Sequence, residues 1–306
     1  MFECPAPIRA NVTRTGLDLD LAALAAALAV LPVGAPVVVM IHGYRFAPDA
    51  RGNCPHLHIL SAHPTPLDPK AISWPRHLGL DGQRGLAIAL GWPARGTVSG
   101  AYRRAEVAGR AVAAIAQAVS RLSPGRPVDV IGHSLGARAA LAALPHARPG
   151  TLRRLILLAA AETRRPARAA MDSPAGRAVE VINVTTREND LIDFCLDWLV
   201  GLGFDTALGQ GQGQGDALPN WLDLQIDQPA TRRALAGLGH SLAAPARISH
   251  WSPYLSPRIF TLYRALLAGN LPLPLLRAHL PATADRRWSR LFAFRSPWPF
   301  RAGRVL

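Results

Sequence analysis

VDVIGHSLGARAALAAL, residues Val128 to Leu144, joins a β-branched apolar run to an alanine-rich one through Gly-His-Ser-Leu-Gly. The first half has the composition of a strand and the second that of a helix, and Ser134 stands at the change between Gly132 and Gly136. Two readings of this serine are open. It is either local chemistry, as a helix N-cap that needs no flanking glycines or a plain turn residue, or a reactive hydroxyl lifted above the carboxyl edge of a sheet by a sharp turn. The second reading needs small neighbours so that the backbone passes close by. It also sets the free amides and positive dipole end of a starting helix beside the hydroxyl. It makes three demands elsewhere: an amide donor on an earlier strand end, an acid on a later one, and a histidine later still.

The rest of the chain supplies a frame for that turn. Leu17–Leu31 reads as a helix, and Pro36–Ile41 ("PVVVMI") as a buried strand. A proline- and histidine-rich connection runs from Tyr44 to Arg84, before a second short strand at Leu86–Gly91. Ala101–Leu122 is a one-faced helix stopped by "SPGRP", and Val128–Ile131 and Leu135–Leu144 are the next strand and helix. Leu152–Leu158 and Val179–Val184 are further strands. Strands alternating with helices, each strand a nearly continuous apolar run, predict an α/β fold with a mostly parallel sheet covered on both faces. Beyond Asp190 the pattern loosens. "LIDFCLDWLVGLGF" reads as helical, "NWLDLQID" as a strand or an insertion, "GQGQGD" as a low-complexity loop, and Pro257–Leu267 as a helix. With no repeat and no linker, one domain spanning 1–306 is expected.

Each demand of the reactive reading has a candidate. The strand in "VVVMIHGYRF" runs into His42-Gly43, where Gly43 permits a tight turn that aims the Tyr44 amide, with His42 bonding loop carbonyls. The free amides of the following helix point at the same spot, and His133 lies within the turn itself. For the acid, "VEVINVTTREND" places Asp190 past a strand end, with Asp193 and Glu162 as competitors. For the base, His250 in "ARISHWSPY" follows a short apolar piece where a last strand should deliver it. His240 and His279 are the other downstream histidines.

The order Ser134, Asp190, His250, with the Gly-His-Ser-Leu-Gly turn and the upstream His-Gly, resembles the α/β-hydrolase superfamily, in particular bacterial esterases and lipase-like hydrolases. The resemblance spans about Pro36 to Leu267. It implies an α/β-hydrolase fold and a Ser-His-Asp triad with Ser134 as nucleophile, His250 as general base and then acid, and Asp190 as orienting carboxylate. The Tyr44 and Leu135 amides would hold the oxyanion, and Gly132, Gly136, His133, His42 and Gly43 would shape the site. The implied reaction is cleavage of a small-molecule or lipid carboxylic ester through an acyl-enzyme, with no cofactor and no metal. An acyl transferase on the same triad and a non-catalytic binding module are the alternatives. Two segments depart from the family pattern: Tyr44–Arg84, and 205–245, where relatives place a lid.

Composition narrows the remaining classes. The 306 residues carry a formal net charge of +14, nearly all of it arginine, since Lys70 is the lone lysine. No zinc-finger spacing, RNA-binding aromatic signature or long basic block accompanies that charge, so a nucleic-acid partner is not expected. Three cysteines without metal spacing and an N-terminus, "MFECPAPIRANV", without a secretory pattern predict a cytoplasmic protein. Cys54, His56, His58 and His63 fall within ten residues, but their spacing matches no strong ligand pattern, and a loop at the mouth of the site is expected there. The tail 285–306 mixes arginines with Trp288, Phe292, Phe294, Trp298 and Phe300. Peripheral membrane contact and packing of the rings on the core are its two readings.

Overall fold

Successive strand residues face opposite sides of a sheet, so strands apolar at every position need cover on both faces. The computed structural model describes residues 5–48, 50–65, 70–212 and 218–292 and meets that need with a single mixed α/β fold. Its strands are β1 (Ile8–Val12), β2 (Leu17–Leu19), β3 (Val37–Ile41), β4 (Leu86–Gly91), β5 (Val128–His133), β6 (Leu152–Leu158), β7 (Glu180–Thr185) and β8 (Trp221–Gln225). They form one eight-stranded sheet in the order β2-β1-β4-β3-β5-β6-β7-β8. Every neighbouring pair is parallel except the β1–β2 hairpin.

Two cores follow from the alternation. Val37, Val39 and Ile41 of β3 and Val128 and Val130 of β5 face a core shared with α1 (Leu21–Val30), α3 (Val98–Leu122), α4 (Leu135–Ala142) and α5 (Arg164–Met171). Val38, Met40 and Ile131 face the other core, which is filled from α2 (Trp74–Leu78), α8 (Pro229–Gly237), α9 (Ser252–Leu255), α10 (Ile259–Leu267) and α11 (Leu273–His279). Between β6 and β8 run α6 (Pro174–Ala178) and α7 (Asp190–Leu199).

Chain order reverses beside β3. From β3 the chain goes to β4 on one side, whereas β5, β6, β7 and β8 extend the sheet in succession on the other. The β3 exit leads toward α2 on one face and the β5 exit into α4 on the opposite face, so a crevice opens between their carboxyl ends. Ligands of open α/β sheets bind at such a reversal. Gly43 and Ser134 lie there.

The structure departs from the sequence reading at the first helix and decides between the two readings of a later segment. The helix expected from Leu17 begins at Leu21, because Leu17–Leu19 pairs with β1 and Asp20 caps the helix by accepting from the Ala23 amide at 2.8 Å. Of the two readings of "NWLDLQID", strand or insertion, the strand holds, and it is the last of the sheet. Leu224 and Leu235 within 205–245 are fully buried, and residues 213–217 of that stretch lie outside the described residues. No helix among the described residues is long and apolar enough to cross a membrane.

Candidate active site

Ser134 follows β5 directly with φ 57° and ψ −120°, a backbone conformation costly for any residue but glycine. Its side chain makes no capping bond to α4, so the hydroxyl has no structural duty at the helix start. The turn is held by backbone packed against backbone. A Cβ on Gly136 would stand 2.4 Å from the Ile41 carbonyl oxygen, and one on Gly132 would stand 2.5 Å from that of Gly136. A Cβ on Gly43 would approach the Ser134 Cβ to 3.0 Å, which sets the two strand exits side by side. Leu135 is the first residue of α4, so its amide has no partner within the helix. Tyr44 and Leu135 both line the cavity that Ser134 faces.

His42 secures this corner from beneath. Its buried ring donates from Nδ1 to the Gly43 carbonyl at 2.9 Å, accepts the Trp92 amide on Nε2 at 3.0 Å, and stacks on the Trp92 indole. Burial lowers its pKa to about 3, so it stays neutral and keeps this tautomer.

His250 also lines the cavity, but not at the end of a strand: it sits in a loop just before α9. Three contacts tie that loop to the exit of β7. The Ser249 amide donates to the Glu188 carbonyl at 2.9 Å, the Ser252 hydroxyl donates to the Glu188 carboxylate, and His250 Nδ1 donates to Asn189 Oδ1 at 2.7 Å. A fourth comes from the serine turn, where His133 Nε2 donates to the His250 carbonyl at 2.9 Å and the two rings lie 4.6 Å apart. Burial lowers the pKa of His133 to about 4. It also holds that of His250 well below the usual histidine range, with His133 adding to the effect. Both rings are therefore neutral at pH 7, and Nε2 is the His250 atom left to take a proton.

The residue that orients His250 is Asn189, one position before the expected carboxylate. Asp190 is turned away into a structural role: its carboxylate accepts from Arg187 at 3.2 Å, Gln210 at 2.9 Å and the Trp288 amide at 2.6 Å. The reason lies in the exit of β7, where a single 3-10 turn at Arg187–Asn189 precedes α7 and points successive side chains in different directions. Behind the amide stands Asp193, which accepts from Asn189 Nδ2 at 2.8 Å. Burial first and the charge of Asp190 second raise the Asp193 pKa to about 8. Among the described residues its second oxygen has no partner, and Gly209 leaves the room it occupies. Glu162 belongs to a separate network: it accepts from Tyr102 at 2.5 Å and from the Thr163 amide at 2.9 Å, and pairs with Arg138. His240 faces Thr261, and His279 bonds the Leu275 carbonyl at the end of α11.

The shared cavity holds about 430 Å³, a size that takes a small ligand, and its wall beyond the polar corner is apolar, with Phe46, Ile59, Ile192, Leu196 and Leu199. None of the described residues in 205–245 lines it. In the histidine-rich loop, His56 Nε2 bonds Asn11 Oδ1 at 2.8 Å and the His58 ring packs on Phe46, a cavity-wall residue. Among the described residues no three or more His, Cys, Asp or Glu side chains converge as metal ligands would. The start of the C-terminal tail packs on the loop before α9 and on α7, with Arg290 donating to the Pro245 and Ala246 carbonyls and Arg287 pairing with Asp197 at 2.6 Å. Phe294, Trp298 and Phe300 lie outside the described residues.

Sequence reasoning missed Asn189 and the clamp made by His133. The signal for the first was present, since "TREND" offers an amide and a carboxylate side by side, but only the turn geometry chooses between them. No family model matches the chain, and no curated protein resembles it closely enough to count as a relative.

Proposed function

We propose that this chain is a serine hydrolase of the α/β-hydrolase type that cleaves carboxylic esters through an acyl-enzyme. The observation that carries the reading is Ser134 itself. A non-glycine residue is held in a costly conformation at the sheet's reversal point, its hydroxyl uncommitted, in one cavity with a neutral histidine. Strain of this kind persists where the surroundings over-determine it, and such places cluster at reactive groups.

In this mechanism Ser134 Oγ attacks the ester carbonyl carbon while His250 Nε2 accepts the hydroxyl proton. The carbonyl oxygen becomes an oxyanion and is met by the Tyr44 and Leu135 amides at the positive end of α4. Collapse re-forms the carbonyl and expels the alcohol oxygen, which takes the proton back from Nε2. Water then repeats the sequence on the acyl-serine, giving up its proton to Nε2 and releasing the acid. Throughout, Nδ1–H stays on Asn189 Oδ1, which fixes the tautomer and the ring plane. An amide does this without a full negative charge, so the imidazolium is stabilised less than it would be beside a carboxylate. The apolar wall suits the acyl part of the ester.

Incubation with a fluorophosphonate probe and with short p-nitrophenyl esters tests the reading. Wild type should be labelled on the peptide containing Ser134 and should turn over the ester. Ser134→Ala should lose the label and about 10⁶-fold in turnover while staying folded. A chain that takes no label and hydrolyses no ester is a binding module, and turnover unchanged by Ser134→Ala removes the mechanism.

A further inference from the structure

Helix α7 is built inside out. Its three carboxylates point inward: Asp190 and Asp193 are buried, and Asp197 is paired with Arg287. Its outer face carries Ile192, Phe194, Trp198 and Leu199, with Trp198 60% exposed, and the turn beyond it adds Leu202 at 70% and Phe204 at 84%. A surface helix ordinarily does the opposite, and a run of exposed apolar side chains this long marks a surface that meets something.

Position and charge indicate what covers it. Ile192 and Leu199 belong both to this face and to the wall of the cavity that holds Ser134 and His250, so the patch is the outer lip of the site. Exposed arginines flank it. Arg45 stands on the cavity rim, and Arg110 and Arg165 share a neighbouring hollow with Leu202 and Phe204. The nearby acids are engaged, Asp205 by the Arg165 and Thr206 amides and Glu106 by Arg138. The whole chain carries +14. A second copy of the chain suits such a patch poorly, because a two-fold contact would bring the flanking arginines together.

We infer that the outer face of α7, from Phe194 to Phe204, docks on an anionic lipid surface. Its rings and leucines enter the headgroup boundary while the flanking arginines meet lipid phosphates. That an ester then passes from the lipid into the cavity rests on the hydrolase reading; the docking does not.

The test is co-sedimentation of the full chain with vesicles of phosphatidylcholine alone and of phosphatidylcholine mixed with phosphatidylglycerol. Ser134→Ala serves as the background, so that no lipid is consumed and the result is independent of catalysis. The paired variant Trp198→Asp, Leu202→Asp changes two exposed side chains, and the backbone of Leu202, at φ 50°, suits aspartate. Circular dichroism checks its fold. The chain should sediment with the mixed vesicles and much less with phosphatidylcholine alone, and the paired variant should lose at least tenfold in partitioning. Three results overturn the inference: no sedimentation of the parent chain, undiminished sedimentation of the paired variant, or a dimer in solution that the two substitutions dissolve without any lipid binding. A chain ending at Phe292 should still sediment; if it does not while the paired variant does, the docking surface lies in the tail instead of α7.

Discussion

Ser134 and His250 face one cavity, but the segments that carry them are held in unlike ways. The serine half is a backbone construction. β5, α4 and the exit of β3 approach so closely that Gly132 and Gly136 have no room for a methyl group and Gly43 leaves only a tight fit for one, and His42 seals the corner with bonds to main-chain atoms. The histidine half is a side-chain construction. Its loop belongs to no strand and is fixed by Asn189, the Glu188 carboxylate and His133, with Asp193 behind the amide. A substitution in the first half should therefore act on folding, and one in the second on the orientation of a single ring.

The largest effect that separates the halves is expected at Asn189. Asn189→Ala removes the acceptor for His250 Nδ1–H and should lower kcat/KM for a short p-nitrophenyl ester by about 10³-fold, or about 4 kcal/mol of transition-state stabilisation. Asn189→Asp should recover most of that loss and move the acid limb of the pH–rate profile upward, because a carboxylate favours the imidazolium. Asp190→Asn should do the reverse of Asn189→Ala. Turnover by the folded protein should change little, while stability in urea drops by about 3 kcal/mol because Arg187, itself buried, loses its partner. If instead Asp190→Asn abolishes ester turnover and Asn189→Ala does not, the orienting group is the carboxylate.

This contrast also explains what could be read from the chain. Glycine at positions 132 and 136 leaves a mark because only that residue type fits a backbone approach of this kind, and the spacing is local. The parallel sheet left a comparable mark in its continuous apolar runs. The short β1–β2 hairpin did not, since three residues of alternating pattern in "LDLDL" read equally well as the first turn of the helix they precede. The partner of His250 lies 61 residues away along the chain, and a one-residue difference in how the β7 exit turns decides between an amide and an acid. Periodicity fixes a face to within a few residues and carries no information at that resolution.

A smaller effect probes the serine half. Gly136→Ala places a methyl group against the Ile41 and His42 carbonyl oxygens; Ile41 is paired in β3 with Gly132 of β5, and the His42 carbonyl accepts the Trp92 indole N–H, so moving either disturbs those contacts. Destabilisation of about 3 kcal/mol is expected, the upper range for overpacking, with the specific activity of the remaining folded fraction falling less than that of Asn189→Ala. Chemical denaturation followed by titration of active sites with a fluorophosphonate separates the two quantities. A stable but inactive Gly136→Ala would mean that the turn tunes chemistry more than folding.

The smallest effect concerns Asp193 and shows only as a slope. Its pKa in the folded protein is about 8 and in the unfolded chain about 3.8, so between those values the folded state holds a proton that the unfolded state has released. Stability must then fall as pH rises through that window and level off above it. The buried histidines act in the other direction. His42, His133 and His250 are held neutral by burial, so they cost stability as pH drops below 6.5, where the unfolded chain binds protons on them. Between about pH 6.5 and 8 the histidine contribution is spent and that of Asp193 is still running. Asp193→Asn keeps an oxygen for Asn189 Nδ2 and removes the titration. Over that interval the wild type should lose up to about 2 kcal/mol more than the variant in urea unfolding, one proton over one and a half pH units. Parallel curves for the two proteins would place the Asp193 charge in the folded state already at pH 6.5. The unpartnered oxygen beside Gly209 would then be an ionised group, and the amide of Asn189 would pass its negative charge on to His250.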